Sequence, residues 1–285
     1  MKRFHPTRVP ALRWLLTALV GLLRPARLDT KSGFKLWVPK QDKSIYVADI
    51  FLTGYYEKAE TLRVAQLLRP GDAVVDVGAN IGYYTCLMSQ AVGGTGVVYA
   101  FEPVPENREI LAKNIALNAL TNVEVNDVAL GEERRRAVIA INQKNRGAHS
   151  LVAAAGSACG MEIAVARFDD VVPARELALV KIDVEGYELS VLKGMKGHLD
   201  RKLIKHILVE VTPSKMVRNG QRPDELFAML EAYGFSGAVV TNTVDAKDLR
   251  INELRSNLGA YVKDENASFN ILFSLSRDSS RAHGV

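Results

Sequence analysis

Between residues 28 and 52 apolar and polar positions alternate, through Phe34, Leu36 and Val38 and then Ile45, Val47 and Ile50. That period of two predicts a small hairpin or lid. Residues 57–68 switch to helical spacing at Leu62, Ala65 and Leu68, and Pro70-Gly71 stops the helix. An unbroken apolar run at 73–77 then enters a glycine-bearing turn. Residues 83–91 leave it as a helix, and a second apolar run occupies 97–101. This order predicts a βαβ unit. Residues 105–120 read as the next helix, with Pro105 near the favoured first position, and 123–126 as a third strand. Two β-like stretches, 137–141 and 161–168, flank a loop of small and polar residues, so 130–168 reads as an insertion able to reach over a site. Strands at 178–182 and 206–211, helices at 189–195 and 223–233, and a closing antiparallel pair at 235–240 and 269–275 follow. The connections are too long for a meander. The expected fold class is α/β: a doubly wound, seven-stranded, mostly parallel sheet with helices on both faces and an antiparallel C-terminal strand. Residues 1–52 are expected to form a helix-and-hairpin extension, 53–276 one domain, and 277–285 a disordered tail.

The 285 residues suffice to bury the core of one large domain. The formal charge of +5 is mild and gathers at the N-terminus, with further basic residues at Arg134, Arg135, Arg136, Lys144 and Arg146. Aromatic side chains do not interleave with these, so a nucleic-acid partner is not expected. Cys86 and Cys159 stand apart and the histidines are scattered, which argues against a metal site and suits a reducing cytoplasm. Lys2, Arg3 and Arg8 precede the apolar stretch 11–23, which contains Arg13 and Trp14 and ends at Arg24. The stretch is short for a bilayer span and lacks a small-residue cleavage site. Two readings stand: a helix lying in a membrane interface, or an ordinary helix packed on the domain.

The candidate chemistry begins at Asp76-Val77-Gly78-Ala79-Asn80-Ile81-Gly82, with Tyr83 opening the helix and Glu102-Pro103 at the tip of the second strand. The glycine spacing is wrong for the dinucleotide G-x-G-x-x-G turn and for a phosphate-cradling loop. Asp76 would repel a pyrophosphate and suit an ammonium. S-adenosylmethionine carries an ammonium, a sulfonium, a ribose and an adenine, with no phosphate, and it is the expected cofactor. Glu102 would accept from the ribose hydroxyls. Asp127, after the third strand, would accept from the adenine amino group, with the Val128 amide beside the ring. A second acidic cluster, Lys181-Ile182-Asp183-Val184-Glu185-Gly186-Tyr187-Glu188, ends the 178–182 strand, and strand 73–77 should lie beside it across the switch in strand order. Asp183 is the leading candidate to orient an acceptor or take its proton, Glu185 the next, and Lys181 a partner that keeps one of them ionised. Glu188 reads as a helix-start carboxylate. His149 in the insertion loop is either simply exposed or a substrate contact. Glu210 is a candidate to join Asp183 around an acceptor or a divalent ion; nearby carboxylates permit Mg²⁺ without establishing it.

These residues carry a resemblance. Residues 76–85, Phe101-Glu102-Pro103, Asn114 with Asn118, and above all Lys181-Ile182-Asp183-Val184-Glu185-Gly186 with Leu192-Lys193-Gly194 resemble the FkbM-type methyltransferases over roughly 55–240. Gly54-Tyr55-Tyr56-Glu57 resembles the segment that often precedes that block. The resemblance implies a Rossmann-like class I fold, dependence on S-adenosylmethionine, and O-methylation of a small-molecule or glycan hydroxyl. The competing readings are an N-methyltransferase of nucleic acid or protein, which would want an N/D-P-P-Y/F tetrapeptide that is missing here, and a non-catalytic cofactor-binding module of a glycan assembly complex.

Overall fold

Hairpin β1 (Arg27–Asp29) and β2 (Lys35–Trp37) is the first pair of strands in this computed structural model, which describes residues 20, 23–40, 42, 44–140, 150–152, 160–240, 251–265 and 267–276. Helices α1 (Ile45–Thr53) and α2 (Lys58–Leu67) follow. A regular alternation then begins: β3 (Ala73–Val77), α3 (Tyr83–Val92), β4 (Val97–Phe101), α4 (Pro105–Leu117) and β5 (Val123–Asn126). Next come β6 (Ala129–Gly131), β7 (Arg135–Ala140), β8 (Ser150–Val152) and β9 (Gly160–Arg167). The chain continues through α5 (Phe168–Val171), β10 (Leu177–Ile182), α6 (Glu188–Gly194), α7 (Lys196–Asp200), β11 (Ile204–Val211), α8 (Pro213–Arg218) and α9 (Pro223–Ala232). It closes with β12 (Phe235–Val239), α10 (Ile251–Ser256), α11 (Leu258–Tyr261) and β13 (Phe269–Leu275).

The main sheet runs β12-β13-β11-β10-β3-β4-β5, parallel except where β13 pairs antiparallel with β11 and β12. This is the doubly wound sheet that the apolar pattern predicts. Its central strands are apolar at successive positions because both faces are covered. Val75, Val77, Val180, Ile182 and Val209 pack beneath α6 and α9, whereas Val74, Leu179 and Leu208 pack beneath α2, α3 and the hairpin. The strand order reverses between β3 and β10, where a ligand crevice opens in such sheets.

Two features depart from the sequence pattern. The alternation at Ile45 and Val47 does not continue as a strand: residues 45–53 are helical, burying Val47, Ala48 and Ile50 on one face and ending at Gly54 with φ 79°. Spacings of one and three between those buried positions are those of a helix face. The described strands between 129 and 167 form a separate four-stranded sheet, β6-β9-β7-β8, packed through Ala137, Ile139, Ile163 and Val165 against Val104.

The hairpin is tied down by side chains that imitate a neighbouring strand. Asn114 Oδ1 accepts the Trp37 N–H at 2.6 Å, and its amide donates to the carbonyls of Ile81 and Trp37. Asn118 exchanges both kinds of bond with the Lys35 backbone, at 2.8 and 2.7 Å. Arg24, read from sequence as the basic flank of the 11–23 stretch, is fully buried and donates to the carbonyls of Val38, Pro39 and Asp42. Apart from Val20 and Leu23, the 11–23 stretch lies outside the described residues, as does the tail 277–285. Among the described residues no helix is long and apolar enough to cross a membrane.

Candidate functional site

The turn after β3 takes left-handed backbone at Gly78 (φ 84°), Asn80 (φ 51°) and Gly82 (φ 93°). Gly78 is required by closeness as well as by φ, because a Cβ there would overlap the Asp183 carbonyl oxygen. The N–H groups of Gly78 and Ala79 both donate to the Phe101 carbonyl, at 3.0 and 2.9 Å. That bond set brings the turn against Glu102. Glu102 is 4% exposed and receives three donors: Asn80 N–H at 2.8 Å, Val104 N–H at 2.9 Å and the Asn107 amide at 3.4 Å. Burial nevertheless pushes its carboxyl up to about 7.

A cavity of about 700 Å³ opens above this floor. Gly78, Asn80, Glu102, Pro103 and Asn107 line one side, and Val128, Leu130, Ile139 and Ile163 form an apolar wall supplied by β6, β7, β9 and the segment before them. Leu130, Ile139 and Ile163 of the 130–168 stretch thus form part of this lining. Asn80 Oδ1 and Asn107 Oδ1 are buried without a donor. Asp127 is exposed and stands outside the lining, while the adjacent Val128 is part of it. His149 lies outside the described residues.

A second cavity, of about 800 Å³, lies on the other side of the turn. The two share Gly78, Asn80, Asp183 and Glu185. Sheet register builds the second one. Lys181 is paired with Asp76 across β10 and β3, and Glu210 with Asn270 across β11 and β13. Side chains two apart on a strand share a face, so these residues converge at one end of the sheet. Asp76 Oδ2 accepts from the Thr85 hydroxyl at 2.6 Å, and its Oδ1 is buried without a donor. Lys181 is 5% exposed, sits 3.0 Å from Asp183 Oδ2 and lies 4.6 Å from the centre of the Tyr84 ring. Burial alone would push this ammonium down, but Asp183, Asp76 and Glu57 outweigh it and hold its pKa above the ordinary value.

Burial likewise pushes Asp183 up, yet the Lys181 charge and a hydrogen bond with Glu210 hold its carboxyl below the usual range. Glu210 takes the opposite course: burial, then the charge of Asp183, raise it far above its ordinary value. The two carboxyls are thus driven apart, Asp183 down and Glu210 up. Behind them burial raises Glu57 to about 7; its Oε2 accepts from the Tyr84 hydroxyl at 2.9 Å and its Oε1 from the Asn270 amide at 3.2 Å. Tyr83 lines the same cavity, its hydroxyl accepting the Tyr56 N–H at 3.1 Å.

The turn between β10 and α6 is strained where the cavities meet. Glu185 has φ 56°, a conformation costly for a residue with a long side chain, followed by Gly186 at φ 100°. Lys215 pairs with the Glu185 carboxylate, and the Asn219 amide donates to its carbonyl. Glu188 accepts the Gly186 N–H at 2.8 Å, which fixes the turn just before its helix, and it does not line either cavity.

Of the residues singled out from sequence, Asp76, Gly78, Ala79, Asn80, Tyr83, Glu102, Pro103, Val128, Lys181, Asp183 and Glu185 gather on the two linings. Gly82 supports the turn from outside, its Cα facing Leu111. Asn107, Tyr56, Tyr84 and Glu57 were not singled out as site residues. Asn107 had one visible signal, a short polar side chain in the first turn of the helix after Glu102-Pro103. The first cavity fits an adenosyl group: an acidic floor, unfilled acceptor atoms and an apolar wall. The unfilled Asp76 Oδ1 fits an ammonium. No group of three or more His, Cys, Asp or Glu side chains is arranged to hold a metal ion among the described residues.

A family model described as "Methyltransferase FkbM domain" matches residues 76–236. A curated relative from Sordaria araneosa, "Methyltransferase sdnD", is 29% identical over 198 residues, covering 57% of this chain and 73% of the relative. "Hexuronic acid methyltransferase AglP" of Haloferax volcanii is 32% identical over 151 residues, covering 49% of this chain and 56% of the relative. Among solved structures, "Methyltransferase FkbM" from Methylobacillus flagellatus is 15% identical with a TM-score of 0.43, covering 94% of this chain and 60% of that one.

Proposed function

The chain belongs to the FkbM methyltransferase family and is an S-adenosylmethionine-dependent methyltransferase of Rossmann-like fold, and from that premise we propose that it methylates a hydroxyl of a sugar, glycan or related secondary metabolite. The observation that carries this reading is Asp183, an ionised carboxylate held by Lys181 at the border of both cavities. The saccharide part, without the acid group, draws on the Haloferax relative, whose name specifies a hexuronic acid.

In this reading Glu102 accepts from the ribose hydroxyls, Val128 with Ile139 and Ile163 covers the adenine, and Asp76 Oδ1 accepts from the ammonium. S-adenosylmethionine, when bound, supplies an electrophilic methyl group. Asp183 orients the acceptor hydroxyl and takes its proton as the oxygen gains the methyl group. A carboxylate below its ordinary pKa is a weak base, so proton transfer comes late and positioning supplies most of the rate. Glu185, clamped by Lys215, and Lys181 hold Asp183 and the acceptor in place.

Asp183→Asn tests this. The expected result is a 10²–10⁴-fold lower kcat with unchanged affinity for S-adenosylhomocysteine in calorimetry. Equal losses in turnover and cofactor affinity would assign Asp183 a structural role.

A further inference from the structure

We infer that the second cavity selects an acceptor that carries hydroxyl or ammonium groups and no anion, a neutral or amino-bearing polyol of sugar type; this rests on reading that cavity as the acceptor side. Its described lining contains four carboxyl groups, Asp76, Asp183, Glu185 and Glu210, and Lys181 is the sole cation among the described lining residues. That ammonium is already committed, to Asp183 at 3.0 Å and to the face of Tyr84. Lys215, next to the lining, is committed to Glu185. An acceptor carboxylate or phosphate would therefore meet Asp183 and Glu185 with no disengaged cation among these groups, and like charges so placed repel strongly in a confined site.

The unfilled hydrogen-bonding capacity points the same way. Asp76, 1% exposed, and Asn80 both line the cavity, and each has a buried Oδ1 with no donor. What fits them is a donor: a hydroxyl or an ammonium. One belongs to the amino-acid end of the cofactor in the reading above, and an acceptor rich in hydroxyls supplies others. An anion supplies none. Glu210, which lines the cavity and is raised by burial, can donate or accept and so suits a hydroxyl in either sense. The lining also holds Tyr46, Tyr56, Tyr83 and Tyr84. Tyr46 and Tyr56 meet edge to face at 5.8 Å, and Tyr56 and Tyr84 at 6.1 Å. Ring faces of this kind pack against the C–H face of a pyranose while the carboxyl groups take its hydroxyls.

The test is calorimetric titration of the full chain, saturated with S-adenosylhomocysteine, with three methyl glycosides at pH 7.5: a glucoside, a glucosaminide and a glucuronide. The glucoside, the glucosaminide or both should bind at least about tenfold more tightly than the glucuronide. Equal or tighter binding of the glucuronide overturns the inference and leaves the methyltransferase reading standing. Binding of none of the three overturns the claim of a sugar-type acceptor. Failure of S-adenosylhomocysteine itself to bind removes the cofactor reading and the inference with it.

Discussion

In the proposed reading, in which Glu102 holds the ribose, this residue couples cofactor affinity to pH. Its carboxyl, pushed up to about 7 by burial, already holds three donors from its own chain. A carboxylate offers about four acceptor sites, so a ribose gains one full bond or displaces the long Asn107 bond. Only the ionised form accepts from both ribose hydroxyls. With a folded value near 7, about one molecule in ten is ionised at pH 6 and about nine in ten at pH 8. Affinity for S-adenosylhomocysteine should therefore rise roughly ninefold over that interval, with release of a proton below pH 7. Stability of the free protein should move the other way. The folded value lies above the unfolded one, so the contribution of this group is complete below pH 4.5 and is lost as pH rises through about 7. Glu102→Gln keeps the shape and removes the charge. At pH 8 it should weaken binding by about 1.5–3 kcal/mol, roughly ten- to a hundredfold, and it should abolish the slope. Calorimetry in two buffers of different ionisation enthalpy reads both effects. A wild-type affinity that is flat from pH 6 to 8, or a slope surviving in the variant, would refute the assignment; a surviving slope would move the proton to Glu57 or Glu188, which also sit at about 7.

Lys181→Met should leave Asp183 to the effect of burial and move the acid limb of the kcat profile upward by at least about one pH unit; an unmoved limb in stopped-time methyl-transfer assays would contradict this. Gly78→Ala should place a Cβ on the Asp183 carbonyl at φ 84°, lowering stability in urea by about 1–3 kcal/mol and abolishing the thermal shift given by S-adenosylhomocysteine; a wild-type shift would show that the turn tolerates a side chain. Asn114→Ala should strand the Trp37 N–H and the Ile81 carbonyl and cost about 1–3 kcal/mol; a loss under about 0.5 kcal/mol in urea unfolding would show that the hairpin is held by its apolar contacts alone.

The cofactor side was legible because its signal is local. Gly78, Gly82 and Glu102 sit within one βαβ unit, and apolar runs and glycine spacing encode such a unit directly. Asp183 was legible for the same reason, at the end of a buried strand. The second cavity was not. Tyr46 lies on the extension and Tyr56 and Glu57 just after it, and their partners Tyr84 and Asn270 are brought to them only by tertiary folding. Asn114 and Asn118 stood out in the sequence as family residues, but their use as substitutes for a strand edge appears only once the hairpin is seen beside α4. The helix at 45–53 was misread because two alternating positions cannot distinguish a strand from a short helix whose buried face holds only Val47, Ala48 and Ile50.

Asn270 joins Glu57 and Glu60 across more than two hundred residues. On a translating ribosome, everything around Glu102 emerges well before β13, whereas the wall beside Glu57 waits for the strand that threads between β11 and β12. A nascent chain stalled before Phe269 would hold every lining residue of the first cavity and lack the Asn270 bonds that position Glu57 behind the second.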